Sequence, residues 1–159
     1  MLPKRKFRII SRRGLAAAAL VAAALGVVPA RAATPTVLYS FCAQSNASGI
    51  CTDGDQPVAG LIADTAGNLF GTTQSGGANN SGTVFEIAKT ASGFASTPSI
   101  LYSFCTQPQT NGNCPDGAGP AAGLLADTAG NLFGTTQSGG ANGQGTINVV
   151  PEFRHQPGN

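Results

Sequence analysis

Tryptophan is absent from the 159-residue chain, histidine occurs once, and charged side chains make up only 10% of it. Positive charge is scarcer than the formal total of +2 suggests. Lys4, Arg5, Lys6, Arg8, Arg12, Arg13 and Arg31 all fall in the first 31 positions. From Ala33 onward Lys89 and Arg154 face Asp53, Asp55, Asp64, Glu86, Asp116, Asp127 and Glu152, so two bases against seven acids leave −5. A Lys-poor, mildly acidic chain has nothing with which to grip phosphates, which excludes nucleic acid as a partner. Hydroxyl nucleophiles are plentiful but lack a base, because His155 sits near the end and Lys89 stands alone on a turn. No enzyme activity is expected. The missing Trp also counts against a sugar-stacking platform, since that residue joins a broad apolar face to a polar edge. No stretch after residue 33 carries a helical apolar stripe of useful length.

What is present begins with an export segment, residues 1–32. A basic start is followed by an uninterrupted Leu/Ala/Val/Gly run from Leu15 to Val28, then Pro29 and the small-residue site Ala30-Arg31-Ala32. As a helix that run spans about 21 Å, short of the roughly 30 Å hydrocarbon core, so a signal peptide is expected and a transmembrane anchor is not. Ser11-Arg12-Arg13-Gly14-Leu15 resembles a twin-arginine signal, with the general secretory route as the alternative. The expected location is the periplasm, the cell surface or the exterior of a bacterium.

The remainder is one unit written nearly twice at an offset of 63. Leu38-Tyr39-Ser40-Phe41-Cys42 returns as Leu101-Tyr102-Ser103-Phe104-Cys105, and Ala63–Asn79 returns unchanged as Ala126–Asn142. Between 38–79 and 101–142, 31 of 42 positions match, with no insertion to disturb the register. Apolar residues within a unit alternate with period two, which predicts short strands over Val58–Asp64, Asn68–Thr73, Thr83–Ala88 and Ser99–Phe104. A lone strand of the fourth type is expected at Thr36–Phe41. Asp64 and Gly67 mark a tight hairpin, the carboxylate accepting from turn amides and the glycine supplying positive φ; Asn68 opens the next strand. Gly71, inside a strand, predicts close approach by another backbone. Asp127, Gly130, Asn131 and Gly134 repeat all four positions.

The expected fold is therefore all-β, with antiparallel four-stranded repeats of propeller-blade type, about two of them, forming an incomplete propeller. The expected layout is a signal peptide at 1–32, a first repeat with its leading strand at 33–98, an incomplete second repeat at 99–146 and a divergent tail at 147–159.

The motif Gly60-Leu61-Ile62-Ala63-Asp64-Thr65-Ala66-Gly67-Asn68-Leu69-Phe70-Gly71-Thr72-Thr73, followed by Gly76-Gly77 and Gly82-Thr83-Val84-Phe85-Glu86-Ile87, resembles the GloVer repeat, named for Gloeobacter and Verrucomicrobia. The resemblance covers nearly all of the chain after the export segment. It implies a secreted or surface-anchored bacterial protein, propeller-like, with no activity or functional residues to transfer. Arrays of that family carry more copies, and beyond Thr146 the motif is abandoned. A truncated member of a longer array is expected, or else a small subunit, three of which would complete a six-bladed propeller.

Cys42, Cys51, Cys105 and Cys114 permit three pairings, and the repetition favours Cys42–Cys51 and Cys105–Cys114. Each bond would close a ten-residue loop, which the loop-entropy model values at about 2.7 kcal/mol. Zinc is disfavoured by the Cys-x8-Cys spacing and the lack of a nearby His. Calcium at Asp53-Gly54-Asp55 is disfavoured because Asp55 becomes Ala118 in the second copy; a surface Asp-Gly turn is expected instead. Asp64 and Asp127 are expected to cap turns rather than form a glycosidase pair. Tyr39, Tyr102, Phe70 and Phe133 are expected in the core. No cofactor or metal is expected. The expected role is structural or interactive, toward a cell-surface glycan or protein, with a carbohydrate-binding propeller module as the alternative and a polysaccharide-acting enzyme behind it.

Overall fold

The structure is a computed structural model that describes residues 33–107 and 113–151. The expected signal peptide at 1–32 and the end of the expected tail, 152–159, lie outside the described residues. The chain divides into two units, 1–35 and 36–159; the described part of the first, 33–35, has no regular structure. All regular structure described is β, in antiparallel sheets that do not close.

The first copy forms a four-stranded meander from β1 (Ile62–Ala63), β2 (Leu69–Thr73), β3 (Thr83–Ile87) and β6 (Ser99–Ser103), in the order β1-β2-β3-β6. A small hairpin, β4 (Lys89–Thr90) and β5 (Gly93–Phe94), interrupts it where only a turn was expected. The Lys89 ammonium lies 4.3 Å from the centre of the Phe94 ring, a cation–π contact across that hairpin. The second copy forms a three-stranded sheet from β7 (Leu125–Ala126), β8 (Leu132–Thr135) and β9 (Ile147–Val150). The pairs Ile62↔Phe70 and Thr72↔Val84 return as Leu125↔Phe133 and Thr135↔Ile147, so the offset of 63 holds in the ladders too. Ile147–Val150 stands in the third-strand position although its sequence departs from the motif.

Period-two alternation gives the first sheet two unlike faces. Ile62, Phe70 and Val84 point one way and pack with Phe104, Leu124, Leu132 and Val150 of the second copy, which makes the common core. On the opposite face Phe41 meets Phe85 edge to face, with ring centroids 4.9 Å apart.

Three details differ from the sequence expectation. The first strand shrinks from Val58–Asp64 to Ile62–Ala63, and the Leu61 side chain folds across Gly71. A Cβ on Gly71 would lie 2.6 Å from Leu61 Cδ2 and 2.7 Å from the Phe85 ring, so side chains, not another backbone, fill the space. Thr36–Phe41 is not a strand: Tyr39 and Phe41 dock, but its backbone has no ladder partner among the described residues.

Candidate functional site

The hairpin Asp64–Asn68 is built from its own carboxylate. Asp64 Oδ1 accepts the N–H groups of Ala66 and Asn68, each at 2.9 Å, and Oδ2 accepts Asn68 Nδ2 at 2.8 Å. Gly67, at φ 87°, turns its N–H back to the Asp64 carbonyl, 3.1 Å. The Asn68 side chain also reaches the start of β4, its Oδ1 accepting the Lys89 N–H at 2.8 Å. Asp127 repeats the clamp with Ala129 and Asn131, and Gly130 takes φ 91°. Bonds from the Asn131 side chain and backbone, then from the Ala129 and Gly130 amides, hold the Asp127 carboxyl below its ordinary range. A carboxylate so held remains ionised and is poorly suited to serve as a general acid, which needs a raised pKa.

The two hairpins flank one groove of about 650 Å³, with Ile62, Phe70 and Leu132 among its lining and Asp64, Thr65 and Asp127 on its walls. Gly71 and Gly134 lie further along β2 and β8.

At the other end of each copy a loop is closed by a disulfide. Cys42 pairs with Cys51 and Cys105 with Cys114, with Cα–Cα distances of 4.6 and 4.8 Å. Cys42 and Cys105 both take the left-handed conformation, φ 63°. After Cys42 the chain turns so that the Ala43 and Gln44 N–H groups face Asp53, at 2.9 and 3.3 Å from its carboxylate. The Tyr39 hydroxyl donates to the same Asp53 Oδ2. Tyr102, Thr106 and Asp116 repeat the arrangement, with the Tyr102 hydroxyl 2.7 Å and the Thr106 N–H 3.0 Å from Asp116 Oδ2. Asp53 is 3% exposed and Asp116 is also buried, which corrects the expectation of a surface Asp-Gly turn. The Asp-Gly pair alone reads as an exposed turn; in each copy the carboxylate is instead bonded to a tyrosine 14 residues earlier.

Burial, with the Asp53 bond and charge adding to it, pushes the Tyr39 phenol up to about 12. Burial likewise raises Tyr102, against an opposing bond from Thr106. At Asp116 burial acts upward, but the bonds from Tyr102, from the Thr106 N–H and from the Thr106 hydroxyl outweigh it and hold the carboxyl below its usual range. Asp55, replaced by Ala118 in the second copy, bridges Ser75 through its backbone and not its carboxylate, with the Ser75 hydroxyl also donating to its carbonyl, and Ala118 does the same with Ser138.

A buried hydroxyl pair, Thr73 and Thr83, joins β2 to β3 and was not among the expected site residues. Thr73 Oγ1 donates to the Ser75 carbonyl at 2.9 Å, so its single proton is used and Thr83, 2.8 Å away, must donate to it. Thr136 and Thr146 repeat the pair. The signal was visible as two threonines ten apart in both copies. Of the aromatic residues expected in the core, Phe70 is buried, Tyr39 and Tyr102 are half-buried, and Phe133 is exposed. Among the described residues no group of three His, Cys, Asp or Glu could hold a metal ion, and no helix is long and apolar enough to cross a membrane.

A family model described as the Gloeobacter/Verrucomicrobia repeat matches residues 25–152. No curated protein and no solved structure matches the chain.

Proposed function

The chain belongs to the Gloeobacter/Verrucomicrobia repeat family, and from that premise we propose that it is an exported, non-catalytic repeat protein with a structural or interaction role at the bacterial surface or outside the cell. Its sheets are read as propeller-type blades, a reading supported by the four-stranded antiparallel meander and by apolar faces that need neighbours. The observation that carries the role is where the carboxylates are used. Asp53 and Asp116 hold disulfide loops, and Asp64 and Asp127 hold hairpins, so these four carboxylates are engaged in holding the backbone rather than offered to a substrate. Two disulfides accord with an oxidising compartment.

Fractionation of the expressing bacterium tests this reading. The expected product lies outside the cytoplasm, starts at Ala33 and resists thiol alkylation until reduced. A full-length, reduced cytoplasmic product would overturn it.

The groove between the hairpins favours a second reading, a carbohydrate-binding module, because apolar residues line it and amide and carboxylate groups stand on its walls. Saturable binding on a glycan array supports that reading, and a blank array retires it.

A further inference from the structure

The junction between the two copies uses two unlike faces, and each face occurs a second time without cover. On the first sheet Phe70 and Val84 are 8% and 2% exposed beneath the second copy. Their counterparts 63 residues on, Phe133 and Ile147, are 36% and 84% exposed. The ladder registers place both pairs on the same face of their respective sheets. The facing side shows the reverse: Leu124, inside the junction, is 4% exposed, and its counterpart Leu61 is 52% exposed. One copy therefore presents an open trailing face and the other an open leading face, each matching half of a junction the chain already makes.

The backbone shows the same pattern. β6 completes the first sheet by pairing Thr83↔Ser103, Val84↔Tyr102, Phe85↔Ile100 and Glu86↔Ser99. The counterpart of β3 is β9, whose outer edge has no strand partner among the described residues. The counterpart of β6 is Thr36–Phe41, whose Leu38–Phe41 is letter for letter Leu101–Phe104. Tyr39 is already seated on Asp53 as Tyr102 is on Asp116, and Phe41 packs on Phe85, while Val37 and Leu38 stand exposed. Neither edge carries a charge, and β9 has no proline, so the usual obstacles to strand addition are missing.

We propose that this chain self-associates head to tail: Thr36–Phe41 of one copy adds to β9 of the next, and the Phe133–Ile147 face of that next copy covers the Leu61 side of the first. Transferring the internal register by 63 gives Thr146↔Ser40, Ile147↔Tyr39, Asn148↔Val37 and Val149↔Thr36. The contact joins unlike surfaces, so it builds rings or filaments rather than a two-fold dimer. The inference rests on packing within the chain and stands apart from the reading of its cellular role.

Light scattering on the processed chain with both disulfides intact tests it, using Ile147→Lys to spoil the trailing face and Leu61→Lys to spoil the leading one. The unmodified chain is expected to form assemblies whose mass rises with concentration, and each variant alone to be monomeric. An equimolar mixture of the two is expected to give a dimer and nothing larger, because each retains the face the other lacks. An unmodified chain that stays monomeric at every concentration overturns the proposal, as do assemblies that survive both substitutions and a mixture that stays monomeric. Hydrogen exchange on the unmodified chain gives a readout independent of how the variants fold. Amides of 36–41 and of β9 are expected to gain protection together as concentration rises, and a lack of change there overturns the proposal.

Discussion

The Tyr102 hydroxyl lies 2.7 Å from the Asp116 carboxylate, donating across 14 residues and fastening the start of a disulfide loop to its end. The same tyrosine packs edge to face on Phe104, with centroids 5.1 Å apart, so one side chain ties the loop to the core.

Removing the acceptor should loosen both. Asp116→Ala leaves the Tyr102 hydroxyl and the Thr106 N–H without their partner, and should cost about 1–3 kcal/mol in urea unfolding at neutral pH. Because the folded carboxyl sits below its unfolded value, its contribution is full above the ordinary carboxyl range and is lost as pH falls through the folded value. The acid limb of the stability profile should therefore be shallower in the variant.

Tyr39 should govern the alkaline side. Its phenol is raised to about 12, so the contribution is full below the ordinary tyrosine value and is lost as pH rises through the folded one. Phenolate absorbance should show a tyrosine titrating near the upper value. Asp53→Asn should bring it only part of the way back, because burial is the larger cause.

Two identical letters should behave differently. Phe70→Ala should cost about 3–5 kcal/mol, the range for a buried aromatic. In dilute, monomeric protein Phe133→Ala should cost less, about 1–2 kcal/mol, because 36% of that residue is already exposed. Denaturation of both variants at low concentration checks the contrast.

Gly71 and Gly134 should also part company. A methyl at Gly71 meets Leu61 and the buried Phe85 ring inside 3.0 Å, whereas at Gly134 it meets only Leu124 Cδ2, at 3.0 Å. Gly71→Ala should lower stability by about 1–3 kcal/mol, the range for overpacking, and Gly134→Ala by less. Parallel thermal melts decide the order.

These contrasts show which parts of the molecule could be read from the letters. Residues 68–73, 83–88 and 99–104 show their alternation directly, and β2, β3 and β6 lie within one residue of those bounds. The Asp64–Gly67 hairpin was legible because every partner lies within four residues. Asp53 was not, because its identity as a buried latch depends on Tyr39, and local pattern carries no information about a partner fourteen residues away. The exposure of Phe133 has a related reason: alternation tells which face a residue takes, while burial depends on whether another sheet covers that face. Thr36–Phe41 shares its letters with a strand, yet pairing also requires an opposite edge.

At Val84/Phe85 the ladder steps two residues on β6 for one on β3, which leaves Leu101 as the extra residue of a bulge. Past that bulge the strand still bonds to the sheet behind it, while Tyr102 and Phe104 serve the sheet ahead. The module that melts is consequently out of phase with the module that is spelled. Dividing the gene at residues 98 and 99, where one copy gives way to the next, would strip the first sheet of its last strand and yield halves that are each incomplete. A viable excision would have to be staggered, duplicating Ser99–Cys105 on both sides of the cut.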